Sequence, residues 1–302
     1  MLPNAESRAG NVAGPLLMLA AALLFTGLNI IIKFLSVEYR VWDIGFYRFF
    51  GGLVLLILVF NRGRNPYRGH NARLLVIRGC TGSVAFVSLL TAIKLLPVST
   101  ALVLFYTFPA FAALFSAVLF RERITGIGAF CIAMVIVGMG IFFDLRLAGS
   151  TLGQMLAINA AVFAGITVTL IRELKYHNGP AIIYLYFCTM GLLVVLPFYI
   201  AAPVIPDTPR EWLMVAGVVF CSLTAQLLMN QGFAFCRGWE GGVFMTSEVI
   251  FTALIGIVFL HDPATWRFWT GGLMIVGSVV VLNVYNLRAR PLRAVLSPRA
   301  KS

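Results

Sequence analysis

Charge is scarce in this sequence. Only 11% of its 302 residues are Asp, Glu, Lys or Arg, while 60% are hydrophobic; a typical soluble domain is about a quarter charged. So little charge cannot keep that much apolar surface dispersed in water, which excludes a water-soluble globular body. Histidine is scarcer still. His70, His177 and His261 all fall in connections between apolar stretches, which disfavours a buried zinc or catalytic cluster. The five cysteines, Cys80, Cys131, Cys188, Cys221 and Cys236, stand singly in apolar runs with no CxxC pair. They imply neither a disulfide framework nor a thiolate metal site, and small buried hydrophobes is the plain reading. No cofactor is expected. The net charge of +12 is of a size that attracts nucleic acid, but the basic residues cluster in loops and at the C-terminus rather than on one soluble face. Membrane topology explains them, and no nucleic-acid partner is expected.

Long apolar runs are what the sequence has in abundance. They cover approximately 15–36, 41–60, 74–95, 98–119, 124–143, 152–171, 180–201, 212–235, 241–260 and 266–286. A membrane-crossing helix needs about 20 apolar residues, so ten spans use almost the whole chain and leave no room for a soluble domain. Backbone polar groups in lipid must be satisfied within the segment, which makes these runs helices rather than open strands. The breaks carry Arg62 to Pro66, Pro97, Arg121 to Arg123, and Pro203, Pro206 and Pro209. The run after Pro15 is too long for a secretory signal core and lacks a convincing cleavage site, so it reads as the first permanent helix.

Orientation follows from Lys and Arg in alternate connections. One side holds Arg8, Arg62, Arg64, Arg68, Arg73, Arg121, Arg123, Arg172, Lys175, Arg237, Arg288, Arg290, Arg293, Arg299 and Lys301, fifteen in all; the other holds five, Arg40, Lys94, Arg146, Arg210 and Arg267. Both termini are therefore expected in the cytoplasm. The basic tail after Tyr285 either anchors the last helix on that side or binds anionic lipid or a partner.

Sliding the sequence on itself until Phe111 meets Phe251 lays Phe111–Thr125 over Phe251–Thr265, with Phe, Ala, Leu, Val and Thr coinciding and Glu122 falling on Asp262. The same offset places Leu16, Ala20 and Ala21 on Leu156, Ala160 and Ala161, and Met134 on Met274. A five-helix repeat is odd in number, so its second copy enters the membrane from the opposite side. Inverted repeats of this kind are characteristic of secondary transporters, although a duplicated bundle can also be a passive scaffold. The expected fold is an all-α membrane protein of ten transmembrane helices in two inverted five-helix repeats, 11–145 and 151–286, followed by a basic cytoplasmic tail, 287–302.

Leu95-Leu-Pro-Val-Ser-Thr-Ala101, Pro109 in the next helix, Leu119-Phe-Arg-Glu-Arg123, and a fifth helix containing Gly138 and Gly140 carry a family likeness. With these features the chain resembles the EamA-type, ten-helix branch of the drug/metabolite transporter superfamily over roughly residues 11–286. In that family a very short turn joins helices three and four, which Lys94 to Ser99 match, and an acidic residue closes helix four, which Glu122 matches. The second copy is looser: Arg237-Gly-Trp-Glu240 replaces the proline turn, and His261-Asp-Pro263 replaces Arg-Glu-Arg. The resemblance implies export or exchange of amino acids, drugs or other metabolites, coupled to protons or to an opposing solute.

Polar groups inside lipid are costly and each needs a reason. Glu248 is the one acidic residue of eleven that falls well inside a span, in Phe244-Met-Thr-Ser-Glu248. A carboxyl removed from water can take up and release a proton during a cycle. It can equally sit in a fixed ion pair or act as a gate. Arg48, about seven residues into helix two from the other side, lies at a depth that suits such a pair. Arg78, one turn inside helix three, can snorkel to the cytoplasmic surface, and Lys33 and Lys94 can do likewise near the outer ends or attract an anionic substrate. Gln226 and Asn230 share a face of helix eight at i, i+4 spacing. They, with Asn29 and Asn159, either contact substrate or bond neighbouring helices, the commoner use. Tyr106 and Phe86 are candidate contacts for an apolar or aromatic substrate, and Pro109 is a candidate hinge. Ala160/Ala164 and Ala161/Gly165 are small pairs for close packing.

The expectation is an inner-membrane carrier, not an enzyme, moving a small molecule by alternating access. Export of amino acids or related compounds leads; an exchanger or importer of anionic metabolites such as nucleotide derivatives or vitamins is the alternative. A membrane enzyme would need a His, Asp or Glu cluster near one interface, and none is present. A channel would suit rings of like residues better than a single-chain inverted repeat. Lipid is the surrounding partner, and the number of copies that assemble is left open.

Overall fold

In the computed structural model of the chain the described residues are 5–35, 39–60, 67–96, 98–120, 124–142, 150–236, 238–260 and 266–296. The expectations placed on Arg62 to Pro66, Pro97, Arg121 to Arg123 with Glu122, Arg146, Arg237, His261 to Thr265 with Asp262, and the last residues of the tail lie outside them.

Twelve helices and no strand form among the described residues: α1 (Ala5–Leu35), α2 (Val41–Phe60), α3 (Ala72–Leu95), α4 (Val98–Phe105), α5 (Phe108–Phe120), α6 (Gly126–Phe142), α7 (Thr151–Leu174), α8 (Pro180–Ala201), α9 (Pro209–Gly232), α10 (Gly238–Met245), α11 (Ser247–Leu260) and α12 (Trp266–Leu296). Seven helical segments are long and apolar enough to cross a membrane, and Gly126–Ile141 and Trp269–Leu282 are shorter apolar helices. Only Tyr106 and Thr107 separate α4 from α5, and only Thr246 separates α10 from α11. Counting each interrupted pair as one gives ten units. The expected fourth and ninth helices are thus present but broken, and α12 runs on through Leu296 into the segment read as tail.

Local chemistry sets the helix ends. Pro180 and Pro209 occupy first-turn positions, where a missing N–H costs nothing. Thr208 caps α9 by accepting from the Glu211 amide at 3.3 Å, and its hydroxyl donates to the Glu211 carboxylate at 2.7 Å. Asn71, with φ at 56°, caps α3 by accepting from the Leu74 amide. Before α2, Arg40 forms a two-pronged 2.9 Å pair with the buried Asp43 carboxylate. That bond holds the guanidinium above its ordinary pKa. Arg40 also donates to the Ala202 carbonyl, tying the start of α2 to the end of α8.

The surface is the inverse of a soluble protein's. Leu58, Val59, Val118, Leu213 and Leu273 are exposed, as lipid-facing side chains are. Trp42, Trp212, Trp266 and Trp269 stand in the first turns of α2, α9 and α12. These are the second, eighth and tenth units, so a path of ten alternating spans would bring the four indoles to one interface.

Packing follows a rule. α3 lies on α7 and α1 on α9; α3 meets α8 and α2 meets α9; α4 and α5 lie on α7, and α10 and α11 on α1; α2 pairs with α8, α6 with α12, and α5 with α10. Numbered as ten units, each of these contacts maps onto another, or onto itself, when five places are added. Small residues permit the approach. A Cβ at Gly165 of α7 would stand 2.8 Å from the Ala112 amide nitrogen and 2.9 Å from the Phe111 carbonyl carbon of α5. Backbone cannot yield as a side chain can. Thr169, one turn on, fixes the same contact by donating to the Gly165 and Ala112 carbonyls at 2.8 and 3.3 Å. Gly165→Ala is therefore expected to cost about 1–3 kcal/mol through overpacking, read as a lower melting temperature in detergent; an unchanged melting temperature would refute the account.

Candidate functional site at the helix breaks

Each broken unit is closed by a threonine. Thr107 donates its hydroxyl to the Leu104 carbonyl at 2.6 Å, and Thr246 does the same to Val243 at 2.6 Å. A hydroxyl bonded back onto the previous turn bends a helix. At the offset that lays Phe111 on Phe251, Thr107 falls on Ser247, so the two threonines miss exact register by a single place. In the first break Pro109 adds to the effect: at the second position of α5 its lost N–H is harmless, whereas in a continuous helix its ring would strike the Phe105 carbonyl.

Glu248 opens α11 immediately after the second break. Its Oε1 accepts from Asn29 Nδ2 at 2.7 Å, and the buried Tyr106 phenol, from the first break, lies within hydrogen-bonding reach of the same carboxyl. Bonds from neutral donors to a carboxylate contribute about 1.5–3 kcal/mol each. The backbone takes part too. Thr26 of α1 donates to the Glu248 carbonyl at 3.2 Å, and Thr252 reaches Thr26 at 3.4 Å. Asn29 is exposed and Glu248 half-buried, although both belong to apolar helices. A polar, accessible surface therefore exists where α1 meets the second break. Three separately named candidates, Asn29, Tyr106 and Glu248, come together here.

Arg48 does not close on Glu248. Among the described residues the ion pair within 4.0 Å is Arg40–Asp43. Arg48 is 8% exposed, and its guanidinium carbon lies 4.8 Å from the Phe86 ring centre and 6.0 Å from that of Phe49. Its Nε has no hydrogen-bond partner. Phe86 thus serves as an arginine platform. Arg78 departs from the expected path to the cytoplasmic surface: it is 1% exposed, over the Phe187 ring at 4.4 Å, with Nε and Nη1 unpartnered. The reason is azimuth. Arg78 points at α8 rather than lipid, and Gly82, one turn on, leaves room for Nη1, since a Cβ there would lie 3.3 Å from it. Burying an unpaired charge costs several kcal/mol. A ring face offsets only about 1–2 kcal/mol of that.

The remaining candidates sit among helix-to-helix bonds. Asn159 donates to Ser88 at 3.0 Å, beside the Thr167–Thr81 bond between the same two helices, α7 and α3. Asn230 donates to the Pro180 carbonyl at the start of α8, leaving its own Oδ1 unpartnered. Gln226 is buried on the same helix. Pro109 packs on Gly242, whose Cβ would meet the Pro109 Cα at 3.3 Å, joining α5 to α10. Lys94 is exposed, and the Lys33 side chain lies outside the described set. Sequence reasoning missed Thr26, Thr107 and Thr246, which no pattern distinguishes from other threonines in apolar runs, and the buried Glu240 in the first turn of α10.

The chain is similar to known transport proteins over most of its length. The profile of the EamA-like transporter family matches it twice, over residues 12–143 and 151–284. The pseudopaline exporter CntI of Pseudomonas aeruginosa is 27% identical over 281 residues, covering 90% of this chain and 96% of that one. Human solute carrier family 35 member G1 is 22% identical over 221 residues, 68% of this chain and 60% of the relative. A solved crystal structure shares the fold at a TM-score of 0.76, with 19% identity, over 92% of this chain and 99% of its own. Two successive family matches, spanning nearly all the helices described above, mean that this chain belongs to the EamA-like transporter family; it is a multi-pass membrane protein of small-molecule transport and not an enzyme.

Proposed function

We propose that the chain is a secondary-active carrier that exports small organic metabolites, amino acids or related compounds, from the cytoplasm by alternating access. The observation that carries this is the Glu248 carboxyl held by Asn29 and Tyr106 where two interrupted helices meet. Interrupted helices at corresponding places in two halves are where such carriers bind substrate. The five-place recurrence of contacts and the double family match support reading 11–145 and 151–286 as inverted repeats. Export as the direction is supported by the name of the Pseudomonas relative.

In the proposed cycle Glu248 couples transport to a proton or gates the site, and Asn29 and Tyr106 set its position. Gln226 and Asn230 are substrate contacts in the half nearer the cytoplasm, and Pro109 lets α4 and α5 move separately. Counterflow in proteoliposomes tests the carrier: labelled solute should accumulate transiently when vesicles are preloaded with excess unlabelled solute, and flux should saturate. Linear flux without counterflow would instead mark a channel.

The setting is the inner, plasma membrane with both termini in the cytoplasm, as the charge bias indicates. A fluorescent protein fused after Ser302 should then fluoresce, and an alkaline phosphatase fused there should be inactive. The opposite pair of results would invert the topology.

A further inference from the structure

We propose that Arg48 and Arg78 together form the seat for the oxyanion of the transported solute, its carboxylate or a comparable anionic group. The inference rests on the carrier reading above and names the chemistry of its cargo.

Both guanidiniums reach the same patch from different helices. Arg78 of α3 lies over Phe187, Phe187 stands 5.1 Å from Phe49, Phe49 stands 5.2 Å from Phe86, and Phe86 carries Arg48 of α2. The two arginines are thus joined through one row of three rings, with Arg48 also 6.0 Å from the middle one, Phe49. Neither has a carboxylate within 4.0 Å among the described residues. Arginine stays charged in any protein setting and offers a planar fork of donors matched to carboxylate and phosphate. Two such forks, nine-tenths buried, leave Nε of Arg48 and Nε and Nη1 of Arg78 without a hydrogen-bond partner, and an oxyanion supplies the acceptors they lack. Ring faces steady the forks without using up their N–H groups. Lysine at either place would keep the charge and lose the fork.

Glu248 sets the polarity of the site. Its carboxyl forms no ion pair with Arg48 within 4.0 Å. A solute carrying an oxyanion at one end and a hydrogen-bond donor or amine at the other would place the first on the arginines and the second on the Glu248 carboxyl. Carboxylates and organic phosphates share the first requirement.

Thermal shift of the purified protein in detergent separates these. The probes are amino acids, small dicarboxylic acids, organic phosphates, and the neutral amides of the acids. Carboxylates or organic phosphates are expected to raise the melting temperature and their neutral counterparts to leave it unchanged; which of the two anion groups acts identifies the source of the oxyanion. Arg48→Gln and Arg78→Gln should each weaken apparent affinity at least tenfold, and Arg78→Lys less than Arg78→Gln. Arg78→Met discriminates a binding role from a structural one. Without ligand it should melt no lower than the parent, because no carboxylate loses a partner, yet its response to the anion should vanish. The proposal is overturned if the neutral amides stabilise as well as the acids, if no anion stabilises at all, or if Arg78→Met melts far lower. Counterflow with the same solutes keeps the two readings apart. Acids that bind without counterflow would sink the carrier and spare the oxyanion seat; counterflow confined to neutral solutes would do the reverse.

Discussion

Glu248→Gln should abolish concentrative transport while sparing the fold. Glutamine has nearly the same shape, can still accept from Asn29, and can still meet the Tyr106 phenol, so the bonds that hold the break in place survive. What it loses is titration. A gradient of one pH unit is worth about 1.4 kcal/mol per proton, and a carrier exchanging one proton per solute can build about a tenfold concentration ratio from it. In vesicles with an imposed gradient the parent should approach that ratio, whereas the variant should level at unity. Exchange of solute for solute should persist in the variant, because it needs no net proton movement. A variant that still concentrates its solute would show that Glu248 is not the coupling group. One that loses exchange as well would move Glu248 from coupling to gating.

Gly242→Leu should impair transport more than it impairs folding. Gly242 of α10 lies against Phe108 and Pro109; a Cβ added there would stand 3.3 Å from the Pro109 Cα and 3.2 Å from the Phe108 ring. This is where the two interrupted units cross. A branched side chain there must push α10 off α5, at a cost of about 1–3 kcal/mol, and the displacement falls on the helix that leads into Glu248. Transport is expected to fall more than tenfold even where membrane insertion is normal. Pro109→Ala makes the complementary test. It returns an N–H that can bond the Phe105 carbonyl, so melting should be unchanged or higher, while turnover slows by about tenfold, equal to ~1.4 kcal/mol on the barrier. If Pro109→Ala turned over at the parental rate, the break would be static and the hinge role would fail.

Much of this architecture is legible in the sequence. Ten apolar runs give ten helical units, seven of them long and apolar enough to cross a membrane. The offset that joins Phe111 to Phe251 implies that whatever interrupts one half recurs in the other, and Thr107 and Thr246 answer to it within one place. The breaks themselves are half legible. Pro109 marks the first, but nothing marks the second, because a hydroxyl bonded back one turn uses an ordinary threonine. Depth along a helix can be counted, whereas direction around it depends on the neighbours. That is why Arg48, whose count along the helix suits a pair with Glu248, does not form one, why Arg78 lies beneath α8 instead of at the surface, and why neither Asn29 nor Glu248 alone foretells the bond between them.

A bundle whose contacts recur under a five-place shift is close to isoenergetic in the two shapes of the proposed cycle, since each contact opened on one side has a counterpart that closes on the other. What tips such a balance is the residues without a like counterpart. At the repeat offset Arg48 falls on Cys188, and Pro109 falls on Val249, the neighbour of Glu248. A cation is matched by a thiol, and a rigid ring by the turn that bears the acid. In the proposed cycle these mismatches would make one resting shape the deeper well, leaving cargo or a proton only that difference to supply.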